Sequence, residues 1–100
     1  MTPAENPELM VDEAEREKIL TAAFSSRTPL RLRVYPPKLK KKLAVLRLLA
    51  EQFEPGRRYR QEEVNALLAE VWSDPVTLRR DLIDLGFLSR ENDGSAYWRS

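Results

Sequence analysis

The sequence predicts an α+β fold, and three observations carry that prediction. Leu39, Leu43, Leu46, Ala50 and Phe53 recur at helical spacing as one long apolar stripe. The segment "SDPVTLRRDLIDLG" opens on a capping aspartate and a first-turn proline and closes on a glycine. Near the C-terminus "NDG" separates "FLSRE" from "SAYWRS", a strong hairpin signal. A long helix, a capped helix and a terminal hairpin in that order describe a winged helix. The expected layout is helix, short strand, helix, helix and two-stranded wing, with an extra N-terminal helix and strand. Residues 1–11 read as a disordered lead, 12–36 as the extension and 37–100 as the winged-helix domain.

Each element has its own warrant. "MTPAENPELM" holds two prolines, two acids and no periodicity, which marks a disordered lead. Asp12 and Glu15 have capping-box spacing before "EREKILTAAF", where Ile19, Leu20, Ala23 and Phe24 share a face. "SSRTP" breaks that helix. "LRLRVY" alternates strictly, with Leu30, Leu32 and Val34 on one side and Arg31, Arg33 and Tyr35 on the other, as in a half-buried strand. The stripe helix runs from Pro37 to "EPG", and Val45, Leu48 and Leu49 widen its apolar arc, so it is expected at the centre. "GRRYR" is a short extended stretch. "QEEVNALLAEVW" is a third helix facing inward through Val64, Leu67, Leu68, Val71 and Trp72. Leu78, Leu82 and Leu85 seat the fourth.

Composition removes most chemistry. The 100 residues contain no cysteine and no histidine. Disulfides, thiolate or imidazole metal sites and every nucleophile–histidine pair are therefore excluded. With three glycines there is no phosphate-cradling loop. No enzyme activity, cofactor or metal is expected. No apolar run spans a membrane, so a soluble cytoplasmic protein is expected. The net charge of +1 conceals a pattern: −4 over residues 1–26, +9 over 27–60 and −4 over 61–100. The basic middle suits phosphate, or the acidic flanks of the chain itself.

"EPGRRY", "EEVN", "LRRDLIDLGFL" and "DGSAYW" occur in an order and spacing that resembles a prokaryotic family of unknown function, number twenty-eighty-seven. The likeness runs from about Lys18 to Trp98. Members of that family stand alone or are joined to bacterial winged-helix transcriptional regulators, so the resemblance implies a transcriptional role. It implies no ligand or reaction. One departure is Arg60, where the family has a Thr or Ser that would cap the third helix, a loss of about 1 kcal/mol.

Nucleic acid, duplex DNA ahead of RNA, is the expected partner. On the fourth helix Arg79 and Arg80 suit guanine edges or phosphates, and Thr77 near its start suits a phosphate. Asp81 and Asp84 oppose them, and Arg80–Asp84 has ion-pair spacing. Lys38, Lys40, Lys41 and Lys42 crowd the start of the central helix, where the helix dipole disfavours cations. With Arg31, Arg33, Arg57 and Arg58 they form a candidate phosphate-gripping set. The same residues also read as a solvated face or as partners of the acidic flanks. The wing tip "ENDG" is acidic and flanked by Arg90 and Arg99, and Tyr97 and Trp98 are expected to close the core. A protein-interaction module using the acidic C-terminal face with exposed Val76 and Ile83, or a homodimer, is the alternative.

Overall fold

A computed structural model describes residues 11–100, so residues 1–10 of the expected lead lie outside the described residues. Val11, also assigned to that lead, packs partly buried against the core. The order is α1 (Glu13–Ala23), β1 (Phe24–Arg27), β2 (Leu30–Leu32), α2 (Leu39–Ala50), α3 (Gln61–Ala69), α4 (Pro75–Asp84), β3 (Leu88–Arg90) and β4 (Tyr97–Arg99). The protein is thus α+β, with four helices and two small antiparallel sheets among the described residues.

Asp12 caps α1 by accepting from the Glu15 backbone N–H at 2.8 Å, while the Glu15 carboxylate reaches Lys40 at 3.1 Å. The segment after α1 departs from expectation. "SSRTP" does break the helix, but Phe24–Arg27 is itself a strand, paired antiparallel with β2 through Arg27↔Leu30 and Phe24↔Leu32. A tight hairpin around the cis Thr28–Pro29 bond supplies backbone partners that alternation alone does not reveal. The strand "LRLRVY" is also shorter than expected, because β2 ends at Leu32. Beyond it the Arg33 and Val34 backbone N–H groups both donate to Ala23 O, at 2.7 and 3.1 Å. That turn ends the alternation. Val34 is therefore 54% exposed and Tyr35 half-buried, the reverse of the expected sides.

α2 is the central helix, packed against α1 and α4. Leu43, Leu46, Ala50 and Phe53 are buried as the stripe requires, and Val45 and Leu49 are buried as completely as Leu46. Leu39 departs from the stripe: it opens the helix and remains 40% exposed. One core holds α1, β2, α2, α3, α4 and the β3–β4 hairpin. The N-terminal elements belong to it, because the Leu32 N–H donates to Val71 O at 2.8 Å.

The C-terminal half follows the reading in element order, but α3 ends at Ala69, so Val71 and Trp72 lie beyond the helix. α4 starts on Asp74 and Pro75 and ends at Gly86, whose φ of 89° is the left-handed conformation expected after a helix. β3 and β4 pair through Ser89↔Trp98, and Gly94 turns the hairpin with φ 75°. "GRRYR" joins that sheet at a single point. Tyr59 and Tyr97 exchange backbone hydrogen bonds at 2.7 and 2.8 Å. Tyr97 closes the core as expected, but Trp98 does not. It stays half-buried with the Arg58 guanidinium 4.3 Å from its ring centroid. Position decides this difference: adjacent strand residues face opposite sides of the sheet.

Candidate functional site

The outward arc of α4 carries the residues read as base contacts. At its N-terminus Asp74 accepts from the Thr77 N–H at 3.2 Å and from the Thr77 hydroxyl at 2.6 Å. These bonds hold the Asp74 carboxyl below its ordinary range, the hydroxyl contributing most and the backbone N–H next. The expected phosphate position at Thr77 is therefore already supplied with a negative charge, and its hydroxyl is engaged. Arg79 is half-buried and donates to Asn65 Oδ1 of α3 at 2.5 Å. Arg80 is exposed, and among the described residues no ion pair joins it to Asp84, contrary to the expected i,i+4 pair.

Asp81 lies elsewhere. It accepts from the Tyr35 hydroxyl at 2.7 Å and stands 3.6 Å from Lys42 Nζ, which also lies 5.2 Å from the Tyr35 ring centroid. Burial, then the hydrogen bond to Asp81, then the Asp81 charge push the Tyr35 hydroxyl well above the ordinary tyrosine range. Asp81 thus does not cancel the arginines of its own helix. Its charge is taken up by α2.

Between α4 and the hairpin runs a groove of about 500 Å³. Arg79, Arg80 and Arg90 line it together with Gln61, and Asp84 is the acid at its edge. Val76 and Ile83 supply apolar lining, and Val76 is 44% exposed. Tyr97 donates to Gln61 Oε1 at 2.9 Å and so ties the start of α3 to β4. Arg90 donates to the carbonyls of Glu91 and Asn92, each at 3.2 Å, which holds its guanidinium by the hairpin turn. Sequence reasoning placed Arg90 only at the flank of the wing and did not consider Gln61 as a site residue. The hairpin signal located Arg90 on the terminal hairpin, but its place in the groove with Arg80 depends on how β3 packs beside α4.

The remaining candidates do not gather on this groove. Lys40 pairs with Glu15 at 3.1 Å and Lys42 with Asp81. Arg57 reaches Glu63 at 3.3 Å and Glu54 at 3.7 Å, and lies 4.6 Å from the Tyr59 ring centroid. Arg58 meets Glu91 at 3.1 Å. Arg33 donates to the Thr21 and Ala22 carbonyls at 3.1 and 2.9 Å, satisfying the free C-terminal end of α1, and Arg31 bonds to its neighbour Leu30 O at 3.1 Å. Lys38 and Lys41 are exposed and line a separate cleft beside α1. The missing hydroxyl at Arg60 is partly offset. Glu63 accepts from the Arg60 backbone N–H at 3.0 Å and from its guanidinium at 3.3 Å, which lowers the Glu63 pKa. A guanidinium has no acceptor, so only this half of a capping box is made.

Among the described residues no group of His, Cys, Asp and Glu is placed to hold a metal ion, and no helix is long and apolar enough to cross a membrane. Four helices and two antiparallel hairpins around one core, with the second hairpin bridged to Tyr59 at Tyr97, form a small α+β domain with an arginine-lined groove. The chain belongs to the bacterial family described as "Uncharacterized protein conserved in bacteria (DUF2087)", whose model matches residues 31–99. The match begins thirteen residues later than the resemblance read from sequence, within β2, and takes in every element after it. No curated protein and no solved structure matches the chain.

Proposed function

We propose that this protein is a winged-helix domain that binds nucleic acid, duplex DNA ahead of RNA, in a transcriptional role. α2, α3 and α4 serve as its three helices, Tyr59 as the short strand and β3–β4 as the wing. One observation carries the reading: Arg79, Arg80 and Arg90 meet in one groove between α4 and the hairpin, where a wing and a reading helix straddle a backbone. The engagement of Asp81 by Tyr35 and Lys42 supports it by removing an acid from that surface. The contact set is narrower than the sequence suggested. Arg80 and Arg90 lead, Arg79 and Gln61 support them, and the lysine run contributes long-range potential only.

With two to three cations reaching phosphates, the log–log slope of affinity against salt should be about −2 to −3 for duplex DNA. Fluorescence anisotropy of a labelled duplex across a salt series measures it. The double variant Arg80→Ala/Arg90→Ala should remove most of the slope, whereas Arg57→Ala/Arg58→Ala should leave it in place. Absent binding at low salt, or a slope indifferent to Arg80 and Arg90, contradicts the reading.

The exposure of Val76 favours a second reading, in which the same arc docks a protein or a second copy. Val76→Ser separates the two. It should weaken self-association or partner binding while sparing DNA affinity if the apolar arc is a docking face.

A further inference from the structure

We propose that the cleft between α1 and residues 34–41 binds a small apolar carboxylate. The cleft measures about 500 Å³, within the range of small-molecule sites. Ile19 and Ala22 of α1 form one wall; Val34, Pro36 and Pro37 form the other. Prolines carry no backbone N–H, so that wall offers little to a polar ligand body. The rim is different. Lys18, Lys38 and Lys41 stand around it, and none of them makes an ion pair with a described residue. Glu15, the one rim carboxylate among the described residues, is engaged by Lys40 at 3.1 Å. An apolar body with a single anionic end is the chemistry that complements apolar walls beneath a cationic rim. Val34 gives a further reason: it is 54% exposed on this wall, and a ligand would cover it.

The wall also leads to α4. Tyr35 stands between Val34 and Pro36, holds Asp81 by its hydroxyl and lies 5.3 Å from the Trp72 ring. Occupancy is therefore readable as a change in Trp72 fluorescence. The site itself does not depend on the nucleic-acid reading, and its test contains no nucleic acid.

Decanoate is the probe, titrated into the full chain by calorimetry and by tryptophan fluorescence. Saturable one-to-one binding is expected, with decyltrimethylammonium failing to bind. Lys38→Glu/Lys41→Glu should weaken decanoate roughly ten-fold. Val34→Asp, at an exposed position that the fold does not need, should abolish both the heat and the fluorescence change. Trp72→Phe should keep the heat and lose the fluorescence change. The proposal is overturned by no saturable heat, by equal binding of the cationic amphiphile, or by Lys38→Glu/Lys41→Glu or Val34→Asp variants that bind as the parent does. It is likewise overturned if sedimentation shows a dimer that Val34→Asp dissociates, since the cleft would then hold a second copy of the chain.

Discussion

Asp74, Asp93 and Glu63 each hold a local turn or helix start by accepting hydrogen bonds, and each carboxyl titrates below its ordinary value as a result. For Asp93 the bonds come from Ser95, for Asp74 from Thr77 and for Glu63 from Arg60. A carboxyl with a lowered folded pKa contributes stability that is present above its unfolded value, about 4, and lost as pH falls through the folded value. Tm should therefore hold between about pH 7 and 5 and decline below about pH 4. Asp74→Asn keeps an acceptor without a titrating group, so its Tm should decline less steeply in the same series. Tyr35 has the opposite sign. Its folded pKa is raised, so its contribution is present below about pH 10 and lost as pH rises towards the folded value. Tyr35→Phe should cost about 1 kcal/mol at neutral pH in urea unfolding. The gap between variant and parent should narrow above about pH 10.

At the scale of the helix, α2 is where composition and packing part company. Leu46→Ala should cost about 2–5 kcal/mol, and Leu49→Ala should cost a similar amount because both side chains are fully buried. Leu48→Ala should cost less, since Leu48 is only half-covered. Urea midpoints of the three variants test that order, and equal losses would contradict this packing of α2. The lysine run divides in the same way. Lys41 is exposed near the positive end of the helix dipole, so Lys41→Glu should be neutral or stabilise by a few tenths of a kcal/mol. Lys42 is two residues into the same run as Lys40 but leans on Asp81 and the Tyr35 ring, with three quarters of its side chain covered. Lys42→Ala should cost about 1 kcal/mol. A run of like charges read from sequence as one face is thus used in three ways: Lys40 by α1, Lys42 by α4, and Lys38 with Lys41 by the cleft.

Across the whole molecule, the alternation of acidic, basic and acidic segments is partly consumed within the fold. Glu17 meets Arg27, Glu15 meets Lys40, Glu63 meets Arg57 and Arg60, Asp81 meets Lys42, and Glu91 meets Arg58. Exposed pairs of this kind add little stability, a median of about 0–1 kcal/mol each, but they remove cations from any wide phosphate-binding face. The N-terminal extension shares the core with the rest, through Leu20, Phe24 and Leu32. Phe24→Ala and Leu78→Ala should therefore lower the midpoint of one and the same urea transition, with its slope unchanged. Two separate transitions, one sensitive to each variant, would show the extension to be an independent unit.

The elements whose signals lie in adjacent residues were legible without coordinates. The Asp12 and Asp74 caps, the glycines that end α4 and turn the hairpin, the inward leucines of α3 and α4, and the pairing of the two terminal strands all depend on spacing along the chain. Family membership was legible too, because its motifs stand in order from "EPGRRY" to "DGSAYW". The β1–β2 hairpin escaped because "FSSR" has a partner only through a turn that no local pattern announces. The charges escaped for a stronger reason. A guanidinium or ammonium is defined functionally by what lies within a few ångströms, and helix packing sets that. Only the tertiary structure turned Asp81 away from Arg80, spent Arg57 and Arg58 on neighbouring acids, and brought Arg90 to the groove beside α4. Sequence order determined which surfaces exist; the approach of elements distant along the chain decided which charges remain available on them.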